Sequence, residues 1–389
     1  MNRNGWTYKK LGDICESELG KTLNHSTDTG NLYPYLCAIN ILWDKIDLST
    51  LKETRFEESE IGRYTVNKGD LLICEGGDVG RAAIWLNDEP ILYQNALHRV
   101  RFDDGFNTRF YLYYLKYLKE SGIIDSRYSK GVTIKHLVKS SLLAIPVPIP
   151  KFETQTQIVS ELDSLKDSVT MLQQQLTDLD ELAMSIFYDM FGDPLLNPMA
   201  WPIKKIGDIG NVERGAGISK KDFVDSGLPC IHYGQLHTSF GPTAYKNITF
   251  IPSDLLPKYK IAHTGDVIMA ITSEDVEGSC KSTAWLGDFD LVVGSDAAIY
   301  HHSINGVYVS YYTMTKAFYI EKEKYAKGFK VTHISAKEIE SIPIPIPPME
   351  LQENFAQKVA AIEDSKATLN VQIKELQNLL AARMQYWFD

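Results

Sequence analysis

Nine residues near the start of the chain, Trp6-Thr-Tyr-Lys-Lys-Leu-Gly-Asp-Ile14, return as Trp201-Pro-Ile-Lys-Lys-Ile-Gly-Asp-Ile209, an offset of 195. Four more markers follow in the same order. Pro34 answers Pro229, and Lys68-Gly69-Asp70 with Leu71-Leu72-Ile73 answers Thr264-Gly265-Asp266 with Val267-Ile268-Met269. Lys130-Gly131 with Ile134 and His136 answers Lys327-Gly328 with Val331 and His333, and Ile145-Pro-Val-Pro-Ile-Pro150 answers Ile342-Pro-Ile-Pro-Ile-Pro347 at an offset of 197. An offset that drifts by only two residues marks two copies of one architecture, and a chain of 389 residues has room for both cores.

Each copy mixes strand and helix signals. Leu71–Cys74, Ala82–Leu86, Val267–Thr272 and Leu291–Val293 are short apolar runs bounded by turn residues, which predicts strands. Phe106–Leu118 carries Phe110, Tyr113, Tyr114 and Tyr117 at helical spacing, and Tyr308–Ile320 takes the matching place. The prolines of the Ile-Pro runs lack amide donors and push their predecessors extended, so each run is a stiff strap closing a domain. Trp6 and Trp201 are expected to staple the domain starts.

A long heptad pattern follows each strap. Between Glu153 and Met190 there is no Pro or Gly, and Ile158, Leu162, Leu165, Val169, Leu172, Leu176 and Leu179 alternate steps of four and three. Thirty-eight residues make a helix of about 57 Å, stopped by Gly192 and Pro194. Between Glu350 and Phe388 the same frame holds Phe355, Val359, Ile362, Leu369, Ile373, Leu376 and Leu380, broken by Lys366 and Arg383. Each stripe residue left in water costs about 1.5–3 kcal/mol, so the stripes need a partner, and each offers the other one. The expected fold is α+β: two repeated α/β recognition domains, residues 1–150 and 194–347, with helical segments 151–193 and 348–389 forming an antiparallel intramolecular coiled coil. The domains would then lie at opposite ends of the rod, facing one way.

The net charge of −10 disfavours nucleic acid at first sight, but residues 1–150 sum to zero and 195–347 to −1, while 151–194 carry −7. The surplus therefore lies mostly on the first helix, and two neutral domains can each turn a basic face to DNA. Five scattered cysteines without a CxxC pair exclude a disulfide framework and a zinc ribbon. The first residues lack the apolar core of a signal peptide, and no run suits a membrane span, so a cytoplasmic protein is expected. Catalytic signatures are missing too. Gly20-Lys21-Thr22 has Cys15 where a phosphate loop needs its first glycine, and there is no GxGxxG, HExxH, GxSxG or Asn-Pro-Pro-aromatic motif. The one acid-x-Lys triplet, Asp364-Ser-Lys366, falls on a heptad helix. No bond-making step and no metal site is expected of this chain.

The plan of domain, strap, heptad helix and repeat resembles the specificity subunit of type I restriction–modification systems, and Phe191-Gly-Asp-Pro194 with Asn197-Pro-x-x-Trp201 and Ile206-Gly-Asp208 is similar to that family's junction before its second recognition domain. The resemblance covers the whole chain. It implies two heads that each read one half of a bipartite duplex target, helices that set the spacing and dock two methyltransferase subunits, and two restriction subunits in a larger complex. S-adenosylmethionine, magnesium and ATP would belong to those partners and none to this chain. Two other readings remain open: the specificity subunit of a type II methylase-nuclease with a bipartite site, and a coiled-coil adaptor that never touches DNA.

Loops over a scaffold are the natural readers. In the first head the candidates are Lys21, Asn24, Arg81, Gln94, His98, Arg99, Arg101, Lys130, Thr133, Lys135 and His136; in the second they are Arg214, Lys220, Lys221, Lys281, Ser282, Lys327, Lys330, Thr332 and His333. For each, a solvated surface charge is the alternative; for His98 it is a core histidine. The Tyr111–Tyr117 cluster can stack bases or pack a core.

Overall fold

The computed structural model describes residues 5–24, 28–131, 135–253, 259–326 and 331–389. The helices that matter below are α1 (Thr108–Glu120), α2 (Phe152–Phe191), α3 (Gly306–Tyr312), α4 (Lys316–Glu323) and α5 (Met349–Phe388). The chain divides into two compact units. Unit 1 holds residues 1–172 and 371–389, and unit 2 holds residues 173–370. The helical segments expected at 151–193 and 348–389 are thus not bodies of their own, since each helix is shared out between the units.

In unit 1 an antiparallel sheet runs Cys15–Leu19, Leu97–Phe102, Leu71–Cys74, Ala82–Ile84, and a second sheet runs Lys52–Phe56, Asn31–Leu36, Ile91–Tyr93, Thr65–Val66. The Ile-Pro strap, Pro146–Ile149, pairs with Thr7–Lys10 in a two-stranded ribbon, where a proline costs no interior ladder bond. Unit 2 repeats the plan. Its larger sheet runs Gly210–Arg214, Ala297–His302, Val267–Ala270, Ser282–Trp285, Thr243–Ala244, and its strap, Pro343–Pro345, pairs with Ile203–Lys205.

The repeated tyrosines are core residues rather than base-stacking platforms. The hydroxyls of Tyr111 and Tyr114 donate to the carbonyls of Pro148 and Pro146, and those of Tyr308 and Tyr312 donate to Pro345 and Pro343. The strap carbonyls that the ribbon leaves unpaired are satisfied in this way. Asn107 caps α1 and Asn305 caps α3, each side chain accepting two amides of the first turn. Behind each cap lies a buried glutamine. Gln155 accepts from the Asn107 amide at 2.8 Å and donates to Pro150 O at 3.0 Å, while Gln352 accepts from the Asn305 amide at 3.0 Å and donates to Pro347 O at 2.7 Å. The Gly-Asp pairs also have one purpose. Gly69 and Gly265 take positive φ, and Asp70 and Asp266 accept the amides of Asn67 and His263, closing equivalent turns. The helix expected over Tyr308–Ile320 is instead two, α3 and α4, because Thr315 caps the second by accepting from the Phe318 amide.

The helices pair antiparallel within each unit. In unit 1, Arg383 of α5 meets Glu161 of α2, and Met384 and Phe388 join Ile158, Val159 and Leu162 in the domain core. In unit 2, Phe187 and Phe191 pack on Phe355, whose chain continues through Val359 and Ile362 in the same core. Ile158, Leu162, Val169, Phe355, Val359, Ile362 and Ile373 are buried, and Leu165, Leu172, Leu176, Leu179, Leu369, Leu376 and Leu380 are half-buried, as a two-stranded seam requires. The two seam cations do not break it: Lys366 binds Asp180 at 2.7 Å and Glu363 at 2.8 Å, and Arg383 binds Glu161. Trp6 stacks on Trp387 at 6.4 Å and Trp201 Nε1 donates to Phe191 O at 2.9 Å, so each domain start is pinned to a helix end.

Gln155→Leu leaves the Pro150 carbonyl and the Asn107 amide buried without partners, at about 1–3 kcal/mol for each group. The expected result is a melting temperature lower by roughly 4 °C or more, read by calorimetry on the full chain; an unchanged value contradicts the role given to this side chain.

Candidate nucleic-acid interface

One arrangement occurs in each domain at the end of its central strand. In unit 1 the chain leaving Cys15–Leu19 passes Gly20, where a Cβ would lie 2.3 Å from Gln94 O; only glycine allows so close a crossing. Beyond it the Lys21 amide donates to Tyr93 O and the Asn95 amide donates to Lys21 O. The central strand Leu71–Cys74 ends at Glu75, whose amide donates to Ala96 O and whose carbonyl accepts from the Leu137 amide. His136 Nδ1 donates to Glu75 Oε2 at 2.9 Å, so the recurring histidine clips its segment to the loop at the strand end.

Unit 2 repeats this geometry with different side chains. Gly215 crosses Gly294 O at 2.2 Å from its would-be Cβ, the Ile271 amide donates to Asp296 O, and the Ile334 amide donates to Ile271 O. His333 Nδ1 hydrogen-bonds Thr272 Oγ1 at 3.2 Å, where unit 1 has the histidine–carboxylate pair. His237 Nε2 donates to Thr272 O at 3.2 Å, Lys281 Nζ donates to His237 O at 3.0 Å, and Arg214 Nε donates to Ser295 O at 2.8 Å. In each unit four loop segments therefore meet at one end of the sheet that holds the central strand.

The candidates divide into three groups. Asn24, Gln94, Lys130, Lys135 and His136 in unit 1, and Arg214, Lys220, Lys221, Lys281 and His333 in unit 2, lie on these loops, and all but half-buried Gln94 are exposed. Arg81 is on the same loop as Glu75, but its Nη2 donates to Ala38 O. Six candidates are corrected, four of them because they are buried. Lys21 is 5 % exposed, and its ammonium donates to Glu60 Oε2 at 2.6 Å and Arg55 O at 3.0 Å. His98 has no exposed surface and its Nε2 lies 2.6 Å from Leu137 O, which makes it the core histidine. Ser282 is buried against Thr313 Oγ1 at 2.6 Å, and Thr332 is buried in the short pairing with Ser273. Arg99 and Arg101 are structural as well: Arg99 donates to Arg63 O and Thr65 O, and Arg101 makes two 2.7 Å bonds to Asp70. Thr133, Lys327 and Lys330 lie outside the described residues.

Sequence reasoning missed Glu75, Thr272, Asp296 and His237, which build the loop junctions, and Lys119 and Lys322, which reach them from helix ends. The signal available was position: Glu75 directly follows one repeated apolar strand and Thr272 stands two residues beyond the end of the other. Among the described residues no group of three or more His, Cys, Asp or Glu is placed to hold a metal, and no helix is long and apolar enough to cross a membrane.

Residues 3–181 and 198–378 match the family of the type I restriction modification DNA specificity domain. The chain belongs to this family. It carries two DNA specificity domains, and its role is DNA recognition within a restriction–modification system rather than catalysis. The Methanocaldococcus jannaschii type I restriction enzyme MjaVIII specificity subunit is 23 % identical over 408 residues, covering 96 % of this chain and 92 % of that protein. The putative MjaX specificity subunit of the same organism is 24 % identical over 404 residues, covering 96 % and 92 %. Among solved structures, a chain of a type I restriction–modification system superposes with a TM-score of 0.60 at 17 % identity, covering 100 % of this chain and 98 % of its own. The S subunit from M. genitalium superposes at 0.51 with 14 % identity, covering 100 % and 98 %.

Burial holds the pKa of His98 below its ordinary value, so this specificity domain folds around a neutral imidazole. The unfolded chain binds a proton there below about pH 6.5 and the folded chain only at lower pH, so this contribution to stability is full above that pH and falls as the pH drops. Denaturant unfolding at pH 7.5 and 5.5 is expected to show lower stability at the acid pH, and His98→Gln is expected to remove this site's share of that loss; an equal pH dependence in the variant contradicts it.

Proposed function

We propose that this chain is the specificity subunit of a type I restriction–modification complex, each of its two domains reading one half of a bipartite duplex target. The observation that carries the reading is the repeated loop junction: one backbone frame in both domains, with Glu75–His136 in one and Thr272–His333 in the other. A shared frame presents loops to the major groove in one manner, and divergent side chains select different base edges. Asn24, Lys130, Lys135 and His136 serve the first half-site, and Arg214, Lys220, Lys221, Lys281 and His333 the second, with Lys327, Lys330 and Thr133 as further contacts. Linking two moderate binders raises affinity through effective concentration, and the paired helices set the spacing between the half-sites.

Two equivalent helix-and-domain surfaces suit two methyltransferase subunits, joined by two restriction subunits in the complete nuclease. S-adenosylmethionine, magnesium and ATP are held by those partners, and the complex works on DNA in the cytoplasm. The test is single-molecule sequencing of methylated bases in a host expressing the chain with its methyltransferase partners. The expected motif has two short specified parts separated by a fixed unspecified gap, and replacing residues 210–342 with those of another specificity subunit changes one part alone. A contiguous motif, or one that changes in both parts, overturns the reading.

A further inference from the structure

Neither of the loops that follow the central strands is held by the sheet alone. In unit 2 the loop runs from Thr272 to Lys281. Its backbone is folded tightly: the Gly278 amide donates to Asp275 Oδ1 at 2.7 Å, a Cβ on Gly278 would lie 2.3 Å from Ser273 Oγ, and Cys280 adopts φ of +57°. From below, Lys322 of α4 enters the loop. Lys322 is 4 % exposed, and its ammonium donates to Glu277 O at 2.9 Å and Ser279 O at 2.6 Å. A buried ammonium is costly unless its protons find acceptors, and here two loop carbonyls supply them.

Unit 1 has a lysine in the same place by a different chemistry. Lys119, like Lys322, is the penultimate residue of its helix and is followed by glutamate. Its ammonium binds Asp78 Oδ1 at 3.1 Å, in the loop after Leu71–Cys74, and Asp125 at 3.1 Å. Neither lysine faces the open edge where the candidate DNA contacts lie. Each instead ties that loop to the last turn of the helix packed behind the sheet.

We infer that Lys322 and Lys119 are positioning residues: each fixes the conformation of its domain's reading loop and thereby the base preference of one half-site, without touching DNA. The inference rests on the bipartite reading above. In unit 2 the path is short, since Ser279 precedes Cys280 and Lys281, and Lys281 is the exposed cation of that loop. Loosening the carbonyls of Glu277 and Ser279 frees Lys281 to bind phosphate in several registers. Affinity then survives while discrimination between bases falls, because phosphate contacts hold the complex and base contacts specify it.

The experiment uses the full chain in complex with its methyltransferase subunits and reads methylated motifs across a host genome. The unsubstituted complex is the control for the bipartite reading: a contiguous motif there defeats that reading, whatever the variants do. Given a bipartite motif, Lys322→Met is expected to raise methylation at sites with one mismatch in the second half by about tenfold, with the first half unchanged and affinity for the matched site within about threefold. Discrimination retained in both halves, or lost equally in both, overturns the inference, the latter being what general destabilisation does. Lys119 is less buried, at 17 % side-chain exposure, so Lys119→Met carries the test should Lys322→Met fail to assemble. Relaxation confined to the first half supports the role, and an unchanged motif overturns it.

Discussion

An apolar stripe five heptads long cannot stay in water, and the stripes on α2 and α5 are each other's complement. That constraint shapes the rest of the molecule. Because the helices pair antiparallel, the end of α5 lies against the start of α2, and the last residues of the chain complete the core of the first domain. Met384 and Phe388 pack among Phe110, Tyr114 and Ile158, and Arg383 and Trp387 share the carboxylate of Glu161. The second domain is completed instead by Phe187 and Phe191 from the end of α2 and by Phe355 from the start of α5. Sequence neighbours therefore do not define either folded unit: each takes half of both helices.

On these two cores the chain keeps one hydrogen-bond frame and varies what the frame displays. The caps at Asn107 and Asn305, the glutamines behind them and the tyrosine bonds to the straps are conserved between the halves almost bond for bond. So are Trp85 and Trp285, whose indoles donate to Glu89 O and Phe289 O and whose amides bond Asp70 O and Asp266 O. At the loop junction the backbone bonds persist while the side chains change. Such a division suits two heads that need the same rigidity and different base preferences, since rigid elements hold loops most accurately.

Much of this was legible in the sequence because it depends on local period or on duplication. The repeat, the straps, the heptad seams and the α+β class follow from spacing alone, and the structure moves the long-helix boundaries by only a residue. The errors have a different origin. Lys21 sits beside glycine as a phosphate ligand would, but Glu60, which buries it, is 39 residues away. Arg101 looks like a free cation on a strand until Asp70, from the neighbouring strand's turn, closes on it. Ser282 and Thr332 are polar residues whose partners, Thr313 and the backbone of Ser273, come from distant segments. Pairing across the fold decides which charges remain for DNA, and periodicity carries no record of it. The break between α3 and α4 was missed because one threonine cap outweighs a helical pattern that continues through it.

The chain's final segment is structurally part of its first domain. Hydrogen exchange followed by mass spectrometry, comparing the full chain with one ending at Asn370, addresses it directly. Faster exchange in Leu71–Cys74, Leu97–Phe102 and α1, with Val267–Ala270 and Ala297–His302 unchanged, is the predicted result. Unchanged protection throughout the first domain would contradict the account.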